Sequence, residues 1–226
     1  MGRAVGVLYA ECMAFPFPRV YPILDSSRIP TVDRAAFLCR LGASLVGAGV
    51  TLLEYRNKQG SDAELRADAA VLRAAMPAGQ VKLILDDRAD LVAAVGFDGV
   101  HVDAGDVSPA DARCIVGPAR IVGAFGGGDA LLPGILAQPV DYLAIGPVFT
   151  TTTKQTSASS IGVEGVRRLR AQAGPDVVLT AAAGITLAAA PAVLAAGATA
   201  VAVSAALFSV ADPAAEFRRW LHALGG

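Results

Sequence analysis

Cysteine is scarce in this chain. There are three, Cys12, Cys39 and Cys114, far apart and without CxxC or Cys/His spacing. That argues against a disulfide framework and a structural zinc site, and makes a reducing cytoplasm the simplest compartment. Histidine is scarcer: His101 ends a strand-type run, where packing or a local hydrogen bond suits it better than base chemistry, and His222 lies in the last helical segment. Basic residues do not exceed acidic ones, 19 against 20, and no basic stripe is interleaved with aromatics, so nucleic acid is not an expected partner. No apolar run reaches the roughly 20 residues of a membrane span. The stretch 176–211 comes nearest, but Gly184, Pro191 and Gly197 divide it. There is no dinucleotide-binding fingerprint, no GxxxxGK[ST] loop and no evident Ser/His/Asp set.

What is abundant is Ala, Val and Leu, with 54% hydrophobic residues and a mean hydropathy of +0.53. That suits parallel strands covered on both faces. Short apolar runs recur at Val20–Leu24, Val50–Tyr55, Val81–Leu85, Gly99–Val102, Arg120–Ala124, Tyr142–Ile145, Val177–Thr180 and Ala200–Ser204. Helix-type segments fall at 32–48, 61–76, 88–95, 108–116, 129–137, 162–173, 186–196 and 212–224. Eight βα units predict an α/β fold, a (β/α)8 TIM barrel in a single domain. It is expected over 19–226, with residues 1–18 a disordered N-terminal extension. Thr31-Val-Asp33 and Ser61-Asp-Ala-Glu64 read as helix caps, the second as a capping box. Ser108-Pro109 places proline at a first helical position, and Gly49, Gly96 and Gly197 each end a helix before a strand.

In such a barrel the chemistry sits in the loops after the strands. The sixth run is followed by Gly146-Pro-Val-Phe-Thr-Thr-Thr-Thr-Lys154. Hydroxyls, backbone N–H groups and a lysine are suited to phosphate oxygens, although a solvated Thr-rich connection is an even alternative. Past the second run, alternation puts Glu54, Arg56 and Lys58 on one face, an anion site or a solvated strand end. Past the third stand Asp86 and Asp87, adjacent carboxylates that need a cation or proton if buried together, unless Asp87 is a helix cap. Asp106 follows the fourth run and is likewise a cap or a partner of Asp87; the pair beside a basic patch favours a Mg2+ site. Gly184 after the seventh run and Ser204-Ala205 after the eighth suit a second phosphate held by backbone N–H groups.

With these residues in place the chain resembles the thiamine-phosphate synthase family from about Val20 to Phe208. The matches are Arg56-x-Lys58, Asp87-Arg88, His101…Asp106, Gly146-Pro-Val-Phe…Thr151-x-Thr153-Lys154, Gly162 with Glu164-Gly165, and Gly184-Ile-Thr186. The resemblance implies a transferase of thiamine biosynthesis. It joins hydroxymethylpyrimidine diphosphate to thiazole phosphate, or its carboxylate, releasing pyrophosphate. It also implies that Arg56 and Lys58 hold the diphosphate and that Asp87 and Asp106 hold Mg2+. Lys154 then stabilises the departing pyrophosphate, Thr151 and Thr153 line its pocket, and Gly184 with Ser204-Ala205 grips the thiazole phosphate. The partners so implied are small molecules, with no membrane contact and with self-association into a homo-oligomer left open.

Several family positions are changed. Glu54 stands for the usual Gln, Asp86 for Asn, Phe125 for Ser and Ala183 for the first of two glycines, while Asp103-Ala104 replaces Gly-Gln and Ala205 falls at the strand-eight Ser position. Glu54 and Asp86 add negative charge beside a diphosphate site, to be offset by Mg2+, protonation or a hydrogen bond to the pyrimidine amino group. Phe125 loses a hydroxyl but offers a ring to stack on. A thiazole tautomerase-like paralogue is the second reading, and a catalytically inactive barrel that binds thiamine precursors the third.

Overall fold

The computed structural model of the chain describes residues 16–150 and 159–225. Eight parallel strands close into a barrel in chain order: β1 (Val20–Asp25), β2 (Leu52–Arg56), β3 (Lys82–Asp86), β4 (Gly99–Val102), β5 (Ile121–Gly127), β6 (Tyr142–Ile145), β7 (Leu179–Ala182) and β8 (Ala200–Val203), with β8 pairing back onto β1. Around them lie α1 (Arg34–Gly47), α2 (Asp62–Ala75), α3 (Val92–Val95), α4 (Pro109–Val116), α5 (Gly162–Ala173), α6 (Ala190–Ala195), α7 (Ala205–Phe208) and α8 (Pro213–Leu224). The eight-unit reading holds.

One expected helix does not form. Segment 129–137 gives only a single 3-10 turn, Ile135–Ala137, after Gly134 at φ +71°. Pro133 and Gly134 interrupt the segment, and a helix there would need both in its interior. The third helix is also shorter than 88–95, a 3-10 turn (Ala89–Leu91) running into α3. The caps divide. Ser61 and Ser108 accept the N–H groups of Glu64 and Asp111, at 3.2 and 3.1 Å, but the Asp33 side chain caps nothing. Glu64 turns instead toward Asn57 and Arg34, so the capping box is half formed.

Strand alternation sorts the side chains into two cores. Leu53, Leu83, Leu85, Val100, Val122, Leu143, Ala181 and Val201 face the helices, where Trp220 of α8 is fully buried. Tyr21, Leu52, Ile84, Ile121, Tyr142 and Ala202 face the barrel interior, and Phe17 packs its ring 5.6 Å from Tyr21 and 5.0 Å from Tyr142. The interior holds two tyrosines because neighbouring positions are small. A Cβ on Gly123 would fall inside the Tyr142 ring.

A device absent from the motif reading repeats at the opposite end. Arg73, Arg113 and Arg170 each reach from a helix to the carbonyls of the following turns. Each also meets a side chain just before an even-numbered strand: Asp98, Asp141 or Thr199. Those three in turn accept the N–H of Leu83, Val122 and Leu179 at 2.9, 2.7 and 3.1 Å. Buried turn carbonyls need donors, and one guanidinium supplies several.

Gly123→Ala forces the Tyr142 ring out of its place. The expected loss is about 3 kcal/mol of unfolding free energy, the range of overpacked interiors, read from urea denaturation.

Candidate active site

The C-terminal ends of the strands surround a cavity of about 440 Å³. One wall is charged. Asp25, Glu54, Arg56, Asp86 and Asp103 line it, contributed by β1 to β3 and the loop after β4. The other wall is small and apolar, with Ala144, Ala182, Ala183, Gly184, Ala202 and Ala205. Phe125 and His101 stand between them.

The charged wall holds more acid than base. Arg56 pairs with Asp25 and stands 3.5 Å from Asp86. Lys58 pairs with Asp87, stands 3.2 Å from Asp86 and reaches Asp103 at 4.0 Å. Asp86, Asp87 and Asp103 each present an oxygen within 4.8 Å of the others, a group that can hold a metal ion. Burial raises the Asp87 carboxyl and the nearby Asp106 carboxyl raises it further, against the pull of Lys58. Two ionised carboxylates face each other in this way only with a proton or cation between them. Asp87 Oδ1 is buried and has no hydrogen-bond donor among the described residues. Burial likewise lifts Asp86 to about 7, despite Lys58. Burial pulls Lys58 down, but the charges and hydrogen bonds of Asp86 and Asp87 together outweigh it and leave the ammonium above its ordinary value. Asp25 is pulled up by burial, yet bonds from Ser27 and the Arg56 charge leave it below the usual carboxylate range.

Neither aspartate is a helix cap. Asp87 sits at φ +64°, a conformation aspartate tolerates better than most residues, and its side chain turns to Lys58. Asp106 accepts the Asp103 N–H at 2.8 Å, while Ser108 caps α4.

Below this rim Glu54 enters a hydrogen-bonded chain that motif reading missed. Tyr21 donates to Glu54 Oε2 at 2.7 Å, Tyr21 and Tyr142 share a bond at 2.8 Å, and His101 Nδ1 bonds Tyr142 Oη at 3.1 Å. The His101 ring stacks on Tyr142, centroids 5.5 Å apart. Burial, reinforced by the Asp86 charge, pushes Glu54 up to about 8. Burial and the Glu54 charge also push both tyrosines well above their ordinary value. The signal in the sequence was alternation: Tyr21 and Tyr142 fall on inward positions of their strands.

On the small wall, Val148 and Phe149 donate to the carbonyls of Ala182 and Ala183 at 2.9 and 3.1 Å. The loop after β6 therefore lies against Gly184. A Cβ at Gly184 would stand 2.6 Å from the Thr150 carbonyl, and its φ of +69° also favours glycine. Ala183 holds φ +73° without being glycine. Ser204 occupies the N-cap position of α7 but caps nothing, and its buried Oγ has no partner among the described residues. Thr151, Thr153 and Lys154 lie outside the described residues. Their flanks come together at the rim, where Ile161 and Gly162 donate to Pro147 and Val148 at 2.9 Å.

The thiamine monophosphate synthase family model matches residues 20–207. The chain belongs to this family. A thiamine-phosphate synthase of Koribacter versatilis is 42% identical over 208 residues, covering 91% of this chain and 96% of that protein. That of Agrobacterium fabrum is 39% identical, covering 81% and 85%. Among solved structures, thiamine phosphate pyrophosphorylase from Pyrococcus furiosus superposes with a TM-score of 0.72 at 24% identity, covering 92% and 98%. Orotidine 5'-phosphate decarboxylase from Pyrococcus horikoshii reaches 0.61 at 13%, covering 92% and 100%. Likenesses at these identities show the barrel alone. With family membership goes the synthase's transferase activity. Among the described residues no helix is long and apolar enough to cross a membrane.

Glu54 and Ala183 each yield a prediction. A folded-state pKa of about 8 exceeds the unfolded value of 4.5, so the native state holds a proton that the unfolded chain has released. This contribution is full below about 4.5 and is lost as pH rises through about 8. Glu54→Gln keeps an acceptor for Tyr21 and cannot ionise. It is expected to raise Tm above about pH 8 by the equivalent of a few kcal/mol and to match the parent at acid pH, checked by thermal melts across pH. Ala183→Gly relieves a positive φ and is expected to add about 1 kcal/mol to unfolding free energy, read by urea titration.

Proposed function

We propose that the chain joins hydroxymethylpyrimidine diphosphate to thiazole phosphate, or to thiazole phosphate carboxylate with loss of carbon dioxide, giving thiamine phosphate and pyrophosphate. The observation that carries this reading is the two-sided cavity. An acid-rich wall carries Arg56 and Lys58, and the opposite wall presents Gly184 and the Ser204 hydroxyl, which has no partner among the described residues.

The donor set fits Mg2+: hard carboxylate oxygens face one another, and two of them, on Asp86 and Asp87, are buried with no hydrogen-bond partner among the described residues. Asp87 and Asp106 would hold the ion, with Asp86 and Asp103 beside them. When bound, Mg2+ supplies positive charge to a diphosphate that this wall would otherwise repel.

Arg56 and Lys58 bind the diphosphate oxygens. The C–O bond of the pyrimidine methylene breaks with its electron pair leaving on pyrophosphate, and the electron-rich aminopyrimidine carries the positive charge. Lys154, with Thr151 and Thr153, meets the charge that develops on the leaving group. The thiazole nitrogen, its phosphate held by Gly184 and Ser204-Ala205, forms the new C–N bond with its lone pair. Positioning and electrostatics suffice, so no strong base is required. Phe125 supplies a ring face between the two walls, and the Glu54 carboxyl accepts from the pyrimidine amino group. The exposed free thiols Cys39 and Cys114 support a cytoplasmic setting.

The test is pyrophosphate release from purified protein given both substrates and Mg2+. Lys154→Ala and Asp87→Asn are each expected to lower kcat/KM by roughly a hundredfold or more, with Asp87→Asn also blunting the response to Mg2+. No release by the unaltered protein, or release unaffected by Lys154→Ala, contradicts the reading.

A further inference from the structure

Thr180 lies in mid-strand on β7, 0% exposed, and its Oγ1 has no hydrogen-bond partner among the described residues. Alternation sets its neighbours Leu179 and Ala181 against the helices, so Thr180 faces inward and lines the cavity. Across the ladder it sits opposite Ala144 of β6 and Ala200 of β8, with Ala182 one step above on the same face. Its hydroxyl is thus a lone polar group in a wall of methyls, below the Gly184 and Ser204 rim.

A threonine in this setting is costly to the fold. A buried hydroxyl without a partner is worth about 1–3 kcal/mol of destabilisation, and valine has nearly the same shape without that penalty. The side chain therefore adds nothing to packing that valine would not. A hydroxyl can both donate and accept, and Thr180 lines the cavity where its wall is built of small residues. The wall opposite is charged and already engaged in its own pairs.

We propose that Thr180 Oγ1 is a substrate-contacting specificity residue that hydrogen-bonds a heteroatom of the nitrogen-heteroaromatic ring lodged between the two walls. This rests on the proposed synthase reaction. The ring is either the aminopyrimidine or the thiazole, and the two are separated by which substrate senses the hydroxyl.

The experiment measures both KM values by pyrophosphate release for Thr180→Val, Thr180→Ala and Thr180→Ser. Binding of thiazole phosphate alone and of hydroxymethylpyrimidine alone is measured by calorimetry without Mg2+. Removing the hydroxyl in Val and Ala is expected to raise KM and Kd for one ring about tenfold, the scale of one hydrogen bond, and to leave the other within about twofold. Ser is expected to stay near the parent. Thr180→Val is also expected to melt at or above the parent temperature. Ala and Ser lack the same methyl and differ only in the hydroxyl, so their contrast decides the matter even where Val folds poorly. Unchanged constants, an equal loss for both rings, or a Ser variant as weak as Ala overturns the proposal. An unaltered protein that releases no pyrophosphate contradicts the synthase reading instead. Ring binding that responds to Thr180→Ala but not Ser supports the contact even then.

Discussion

The rim of this barrel is governed by an imbalance of charge. Asp25, Glu54, Asp86, Asp87, Asp103 and Asp106 converge there, and among the described residues Arg56 and Lys58 are the cations that meet them. Six carboxyl groups and two cations cannot all be ionised in a half-buried site without help. The protein relieves the strain by raising Glu54 and Asp86 toward neutrality and by placing the Lys58 ammonium among three aspartates. A diphosphate arriving alone would worsen the imbalance. In the proposed reaction a divalent cation held by the aspartates would supply the missing positive charge.

The same constraint explains why the interior beneath the rim is built as it is. Glu54 is 3% exposed and must have a partner. Tyr21 provides the donor, Tyr142 bonds Tyr21, and His101 braces Tyr142. Two tyrosine rings within an eight-stranded barrel need space, and Gly123 yields it. Polar satisfaction on one side of the barrel is thus tied to small residues on the other, and the surplus space becomes the cavity above Ala144, Ala182 and Ala202.

Much of this was legible in the chain because a βα barrel repeats its pattern and places chemistry after each strand. The strands, the Arg56-x-Lys58 pair, Asp86-Asp87 and the Gly184 turn all sit where alternating runs predicted. The Arg73, Arg113 and Arg170 clamps were not legible, since each joins residues some 25 to 30 positions apart with no local signature. The failed helix at 129–137 carried its own warning in Pro133-Gly134, overridden by the expected rhythm of eight units. Thr180 was invisible for another reason: a threonine in a strand is ordinary by propensity, and only its burial without a partner among the described residues makes it unusual.

The departures from the family pattern do not act alike. Ala183 is a backbone matter: its positive φ strains the residue but leaves the turn carrying Gly184 intact, since Phe149 still bonds the Ala183 carbonyl. Glu54 is a charge matter, and the protein absorbs it internally through burial and the Tyr21 bond, so the residue still presents an acceptor where glutamine would. Asp86 differs from both. Its Oδ2 is buried, lacks a properly aligned donor and stands within 3.5 Å of two cations. Burial pushes it toward the neutral acid, while Lys58 and Arg56 pull the other way. In the proposed reaction this substitution would bear on the charged end of the diphosphate, and Glu54 on the ring.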